Sequence, residues 1–260
     1  MLQNIVTCQL KLNLPKLIQQ NACGVACILQ VLKFKNALKQ SEEDLFLDFL
    51  SFGKYTFPRI ELKLEGLSQP IPYSILDPSK NTIENAQKEI SELFKGQEET
   101  GYNTNLNNTV NNEYLPTFLL KTGSDSRGIC EYLRYQVITS KLYEFSSDKN
   151  TASKNIKHTI YSDLNAFMDT FTLELNQGKM IIASVKMEAL PHLKEVSKLI
   201  YKDNTSELTH LVCIKKENSN IYIIDPLIEQ ISNAIVKTNL DQLQVAMTEN
   251  RAKSRFIAIN

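Results

Sequence analysis

Residues 19–34 read Gln-Gln-Asn-Ala-Cys-Gly-Val-Ala-Cys-Ile-Leu-Gln-Val-Leu-Lys-Phe, and this stretch decides the fold. From Ala22 to Leu38 the chain has no proline, and its single glycine, Gly24, stands in the first turn. Apolar side chains cover most of the helical circumference, which is typical of a helix that is buried on all sides. The sequence therefore predicts a central N-terminal helix that begins after a cap at Asn21 and packs against a sheet.

The overall composition is that of an ordinary globular chain. The 260 residues are enough for a sizeable core, and 42% are hydrophobic and 22% charged. The formal net charge is zero, so no global field attracts nucleic acid or an anionic membrane. No stretch approaches the roughly 20 apolar residues that a membrane-spanning helix needs. We therefore expect neither a nucleic-acid partner nor a membrane span.

The cysteine count indicates a reducing compartment. Five cysteines at irregular spacings argue against a disulfide framework. The first residues lack the apolar region of a signal peptide. We expect a cytoplasmic protein, or a bacterial effector that reaches a host cell by a route without a signal sequence.

The order of predicted elements indicates an α+β fold in a single domain, 1–260. The span from about 55 to 117 is rich in proline and then in asparagine, and we interpret it as an insertion or subdomain. It is a candidate surface for a protein partner. Helices are predicted over 22–38, 126–136, 164–176, 189–201 and 239–247, and strands over 141–145, 180–185, 210–215, 221–225 and 255–259.

Cys23 is the candidate nucleophile. The pKa of a thiol falls at a helix N-terminus, where unpaired N–H groups favour the thiolate. Gly24 leaves the backbone open to a substrate carbonyl, and an N–H there can help to hold an oxyanion. The remaining cysteines are predicted to be structural; they are Cys8, Cys27, Cys130 and Cys213.

A thiol nucleophile needs a histidine and usually a third group that orients it. Of the three histidines, His158 and His192 lie in polar or helical segments and are predicted at the surface. His210 instead begins an apolar strand. It is therefore the candidate base.

Strand register supplies the third group. If the loop 217–220 joins two strands symmetrically, Lys216 pairs with Ile221. Side chains alternate between faces along a strand, so His210 and Asp225 then share a face, one diagonal step apart. A carboxylate in this apolar setting needs a partner. Asp225 is thus predicted to orient His210.

Several motifs occur together in one order. They are Cys23-Gly-Val-Ala-Cys27 after two glutamines, Thr122-Gly-Ser-Asp125, Leu175-Asn-Gln-Gly-Lys179, His210-Leu-Val-Cys-Ile214 and Ile223-Ile-Asp-Pro226. In this order they resemble the bacteriocin-processing (double-glycine leader) cysteine peptidases and their stand-alone relatives in the papain-like superfamily. The resemblance covers about 17–38 and 121–227.

The resemblance implies a papain-like fold, a protein or peptide substrate and no cofactor. It implies Cys23 as nucleophile, His210 as general base and acid, and Asp225 as orienter. The family places an oxyanion-hole glutamine six residues before the cysteine, where this chain has Leu17. Gln19 is therefore the first candidate for that role and Gln20 the second.

Other interpretations stay open. A related acyl-transferring thiol enzyme would use the same residues, and a catalytically dead papain-like module would use them for binding. A structural zinc site is a further alternative; its ligands would be Cys23, Cys27, His210 and Cys213. Cys130, in Arg127-Gly-Ile-Cys130, is an alternative nucleophile.

Overall fold

A computed structural model describes residues 2–12, 22–42, 44–45, 49, 126–148, 158–193, 209–248 and 253–260. It also describes the backbone of 61–62, 71–72, 118–119, 123–124 and 153–154. The predicted insertion 55–117 therefore lies outside the described residues, except for β1 (Glu61–Leu62) and β2 (Ile71–Pro72), which pair antiparallel. A second short antiparallel pair is formed by β3 (Phe118–Leu119) and β4 (Gly123–Ser124).

The centre of the fold is an eight-stranded sheet. Its strands are β5 (Ser140–Ser146), β6 (Ser153–Lys154), β7 (His158–Tyr161), β8 (Met180–Lys186), β9 (Thr209–Glu217), β10 (Asn220–Ile224), β11 (Ile235–Thr238) and β12 (Lys253–Ile259). They lie in the order β11-β10-β9-β8-β12-β5-β7-β6. Neighbouring strands are antiparallel except for β5 and β7, which are parallel. The prediction of an α+β fold with an antiparallel sheet is therefore confirmed in its main feature.

Helices cover both faces of this sheet. They are α1 (Cys23–Phe34), α2 (Ser126–Tyr135), α3 (Leu164–Asn176), the single turn α4 (Ile231–Ala234) and α5 (Leu240–Thr248). Short 3₁₀ turns occur at Leu2–Ile5, Gln9–Lys11 and Met187–Ala189. No helix in the described ranges is long and apolar enough to cross a membrane.

Two apolar cores lie on opposite faces of the sheet. One contains α1, α2 and alternate residues of β8 and β9, such as Ile182 and Leu211. The other contains α3, α5 and the intervening residues, such as Ile181 and Val212. Strand alternation explains this division, because the apolar run of β8 supplies side chains to both faces. The predicted packing of α1 on the sheet is confirmed, and α3 and α5 form a second helical layer.

The first three long helices end in the same way. The second residue after each helix turns left-handed, and the next N–H bonds back to a carbonyl in the last helical turn, as in a Schellman motif. The three left-handed residues are Asn36, Val137 and Gly178, with φ of 51°, 61° and 75°. Asparagine and glycine tolerate this backbone, whereas a β-branched residue is strained in it. Val137 is thus an ill-suited residue at a well-formed helix end.

Replacing Val137 by glycine is expected to stabilise the protein. Val137 is 89% exposed, so little packing is lost, and removing the strain should raise the free energy of unfolding by about 1 kcal/mol. Urea unfolding measures the change. Val137→Ala is the matched control, because it keeps a Cβ and should gain less. A loss of stability in Val137→Gly would contradict this reading of the helix end.

Glu144 on β5 is a buried carboxylate, with a side chain only 3% exposed. Its Oε2 accepts from Arg255 Nε at 2.9 Å and Arg127 Nη2 at 3.2 Å, and His158 Nε2 lies 3.6 Å away. Burial favours the neutral acid, but the hydrogen bonds and positive charges of these partners lower the pKa of Glu144 to about 2. This cluster joins β5, β7, β12 and α2. His158 is therefore half-buried in an ion cluster, and its predicted surface location is wrong.

Glu144→Gln should destabilise the protein at neutral pH by about 2 kcal/mol, the usual loss for hydrogen bonds to a charged group. A carboxyl whose pKa is lowered on folding stabilises above its unfolded value of 4.5, and loses this contribution as the pH falls through about 2. The difference between the two proteins should therefore shrink below pH 4.5. Urea unfolding at pH 7 and in acid tests this. An equal difference at both pH values would contradict it.

Candidate active site

The ends of three neighbouring strands, β8, β9 and β10, lie side by side at the same end of the sheet. His210 is the second residue of β9, and it lies opposite Val185 of β8. On the other side of β9, Asp225 directly follows β10. The predicted register is confirmed, since Ile221 pairs with Lys216 and the ladder continues to Ile224. The antiparallel hairpin thus returns Asp225 to the start of β9, where His210 lies.

His210 and Asp225 form a buried pair. His210 Nε2 lies 2.9 Å from Asp225 Oδ1, and their side chains are 2% and 0% exposed. The backbone N–H of Leu227 donates to the same Oδ1 at 2.9 Å. The N–H of Asp225 donates to the carbonyl of Ala234 at 2.8 Å. The predicted contact between His210 and Asp225 is therefore confirmed, and the backbone on both sides of the carboxylate is anchored.

A second histidine reaches the same carboxylate. His192 Nε2 lies 2.9 Å from Asp225 Oδ2. Its side chain is 17% exposed, so the predicted surface location of His192 is wrong. The helix predicted from Ala189 is also wrong over its described part, where a 3₁₀ turn ending at Ala189 is followed by a turn containing Pro191. Proline lacks the N–H that a continuing helix would need, and this was the signal in the sequence for a turn.

Hydrogen bonding defines the tautomers of both histidines. Burial favours the neutral acid of Asp225, but the charge of His210 and the hydrogen bonds from His192 and His210 hold the pKa of this carboxyl well below its usual range. An ionised carboxylate only accepts, so both imidazoles donate from Nε2. In neutral His210 the lone pair therefore resides on Nδ1. This nitrogen is the one that can take a proton from a thiol.

Cys23 is the first residue of α1 and the one cysteine that is not buried; the other four are Cys8, Cys27, Cys130 and Cys213. Burial disfavours the imidazolium form of His210. Asp225 opposes this through its charge and its hydrogen bond, and the hydrogen bond and charge interaction with the Cys23 sulfur add to that effect. Together they raise the pKa of His210 to about 10. The three predicted site residues are thus brought together in one chain of contacts.

The beginning of α1 leaves backbone donors near the thiol. The helix is preceded by Ala22, which makes no side-chain cap, and its first turn closes with the bond from Ala26 N–H to the Ala22 carbonyl, 2.9 Å long. The N–H groups of the residues before Ala26 precede the helical ladder. Because Ala22 takes the N-cap position, the predicted cap at Asn21 is wrong. The candidate oxyanion residues Gln19 and Gln20 lie outside the described residues.

The alternative thiol Cys130 is buried within α2. It is 1% exposed, and its Sγ lies 3.4 Å from Ser140 Oγ. A thiol in this position packs and is closed to a substrate. The predicted structural role of Cys130 therefore fits its surroundings.

The zinc candidates make other contacts. Cys27 Sγ donates to the Leu211 carbonyl at 3.4 Å, Cys213 Sγ lies 3.6 Å from the Cys27 carbonyl, and His210 bonds Asp225. Burial, and then the neighbouring Cys213 thiol, raise the pKa of Cys27 well above its ordinary value. Among the described residues, no group of three His, Cys, Asp or Glu side chains is arranged to hold a metal ion. These thiols pack α1 against β9.

Comparison with known proteins gives no relative for this chain. No family model, no curated protein and no solved structure matches it.

Asp225→Asn should return the pKa of His210 from about 10 toward its ordinary value of 6.5, because the carboxylate charge is lost. NMR titration of the imidazole measures this directly. A histidine whose pKa is raised on folding stabilises fully below 6.5, and that contribution is lost as the pH rises through about 10. The variant should therefore be less stable than the wild type at pH 7. Above pH 10 the difference between their free energies of unfolding should be smaller. A His210 pKa unchanged by the substitution would contradict the pairing.

Proposed function

We propose that this chain is a papain-like cysteine peptidase, similar to the bacteriocin-processing peptidases, that cleaves a peptide or amide bond through an acyl-thioester on Cys23. The observation that carries the proposal is the single line of contacts from the Cys23 thiol through His210 to the buried Asp225. A partly exposed thiol at a helix start, a histidine whose Nδ1 is left to the thiol, and a carboxylate on its Nε2 are the parts that thiol catalysis needs.

The first half of the reaction forms the acyl-enzyme. His210 Nδ1 takes the thiol proton, and the thiolate of Cys23 attacks the carbonyl carbon of the substrate. The negative charge that develops on the carbonyl oxygen is stabilised by N–H groups at the start of α1, with Gln19 as the proposed side-chain donor. His210 then returns its proton to the leaving amine, and the C–N bond breaks. Asp225 holds the imidazole in the correct tautomer throughout.

The second half of the reaction releases the acyl group. His210 removes a proton from water, the hydroxide attacks the thioester, and the carboxylic acid leaves as Cys23 recovers its proton. If an amine takes the place of water, the same acyl-enzyme gives a transferase. The second candidate function, acyl transfer, therefore differs only in the acceptor.

Other parts of the proposal follow from the sequence. The substrate is a protein or peptide, the insertion 55–117 is the proposed contact for a protein partner, and the chain acts in the bacterial cytoplasm or as an effector in a host cell. Residues 13–21 and 194–208, which flank the site in sequence, lie outside the described residues.

Cys23→Ala and His210→Ala should each abolish cleavage of a defined peptide library, with a loss of about 10³-fold or more. New peptide termini detected by mass spectrometry measure the activity. Addition of a primary amine separates transfer from hydrolysis, because the transferred acyl group then carries the mass of the amine.

Cys130→Ala is the matched control, since it removes a buried thiol outside the line of contacts and should retain activity. Brief treatment with iodoacetamide at mildly acidic pH should label Cys23 before any other cysteine. Absence of cleavage by the wild type, together with slow labelling of Cys23, would favour a catalytically dead binding module. Cleavage that survives in Cys23→Ala would disprove the proposed nucleophile.

A further inference from the structure

Both oxygens of the Asp225 carboxylate are bonded to imidazoles. Oδ1 accepts from His210 and from the N–H of Leu227, whereas Oδ2 accepts from His192. The carboxylate itself is 0% exposed, and His192 stands between it and the surface with 17% of its side chain exposed. A thiol site with one orienting carboxylate needs one histidine, so the second requires a separate explanation.

The segment that carries His192 is built to hold it in place. Pro191 restricts its own backbone, and the N–H of Leu193 donates to the carbonyl of Leu190 at 2.9 Å, which closes a turn around Pro191 and His192. The side chains of Leu190 and Leu193 are buried in the core shared with α3 and α5. The backbone of His192 is therefore held between two buried leucines, which fixes the position of its imidazole beside Asp225.

The three residues of this contact come from three different segments. His192 follows β8, His210 lies on β9, and Asp225 follows β10. The carboxylate therefore links three adjacent strands at one end of the sheet. A carboxylate held through Oδ1 alone can turn about its Cβ–Cγ bond. A donor on Oδ2 opposes this rotation and keeps the lone pair of Oδ1 directed at His210 Nε2.

We propose that His192 is a positioning residue of the thiol centre. It fixes the Asp225 carboxylate, and the carboxylate in turn orients His210 and favours the protonated form of its imidazole. This inference rests on the proposed function. His192 acts through Asp225 and is not itself a catalytic residue. Among the described residues, the titratable groups around this carboxylate besides His192 are His210 and the Cys23 and Cys27 thiols.

The test uses the rate at which iodoacetamide alkylates Cys23 as a function of pH, with the labelled residue assigned by mass spectrometry. This rate follows the fraction of thiolate at the labelled residue and needs no natural substrate. His192→Phe keeps a ring but removes the donor, and the pH at which Cys23 becomes reactive should rise by about one unit. At mildly acidic pH the labelling rate should fall about tenfold, since each pH unit changes the thiolate fraction by that factor.

His192→Gln places an amide N–H where Nε2 was and should restore the wild-type profile to within about twofold. His158→Phe, which removes a histidine from the Glu144 cluster, is the matched control and should leave the profile unchanged. If His192→Phe does not fold, His192→Ala is interpreted in the same way. Melting temperatures separate the two roles, because a merely structural residue would lower them without moving the labelling profile.

The outcomes distinguish this inference from the proposed function. If wild-type Cys23 reacts like an ordinary thiol and His210→Ala changes nothing, the thiol centre itself is wrong. If His210→Ala slows labelling but folded His192→Phe does not, the thiol centre stands and the role of His192 is overturned. A glutamine variant as impaired as the phenylalanine variant would also overturn it.

Discussion

The structure depends on one buried charge, the carboxylate of Asp225. An ionised carboxylate without contact to water is very costly unless donors surround it, and here two imidazoles and a backbone N–H supply them. Satisfying this charge requires that the end of β10, the start of β9 and the turn after β8 come within hydrogen-bond distance. The geometry of the candidate site is therefore set by the need to supply hydrogen-bond donors to one buried carboxylate.

The sheet makes this meeting possible. Because β8, β9 and β10 are successive antiparallel neighbours, the end of β8, the start of β9 and the end of β10 lie at the same end of the sheet. On one face α1 is packed against β9 through the buried thiols Cys27 and Cys213, whose contacts are with backbone carbonyls. That packing directs the first turn of α1, and with it Cys23, toward His210. The buried thiols of Cys27 and Cys213 thus help to fix the position of the partly exposed thiol of Cys23.

The three histidines show how neighbours decide chemistry. His210 is enclosed beside a carboxylate and a thiol, and its pKa rises to about 10. His192 meets the other oxygen of the same carboxylate from a rigid turn. His158 instead lies beside Glu144 and two arginines, in an ion cluster at the strands β5, β7 and β12. One residue type therefore provides a proposed base, a proposed positioning group and a member of a structural network.

Local sequence determined the elements and the main pair of the site. The unbroken apolar pattern of α1, the Asp163 cap and Gly178 end of α3, and the period-two register of the β9–β10 hairpin are set by near neighbours, and the structure agrees with them. The position of His210 near Asp225 follows from that register alone. Only the tertiary structure decided the rest. His192 reaches Asp225 from 33 residues away, and α3 and α5 cover the second face through contacts between distant segments. Such contacts depend on where whole elements pack, which periodicity within one segment does not encode.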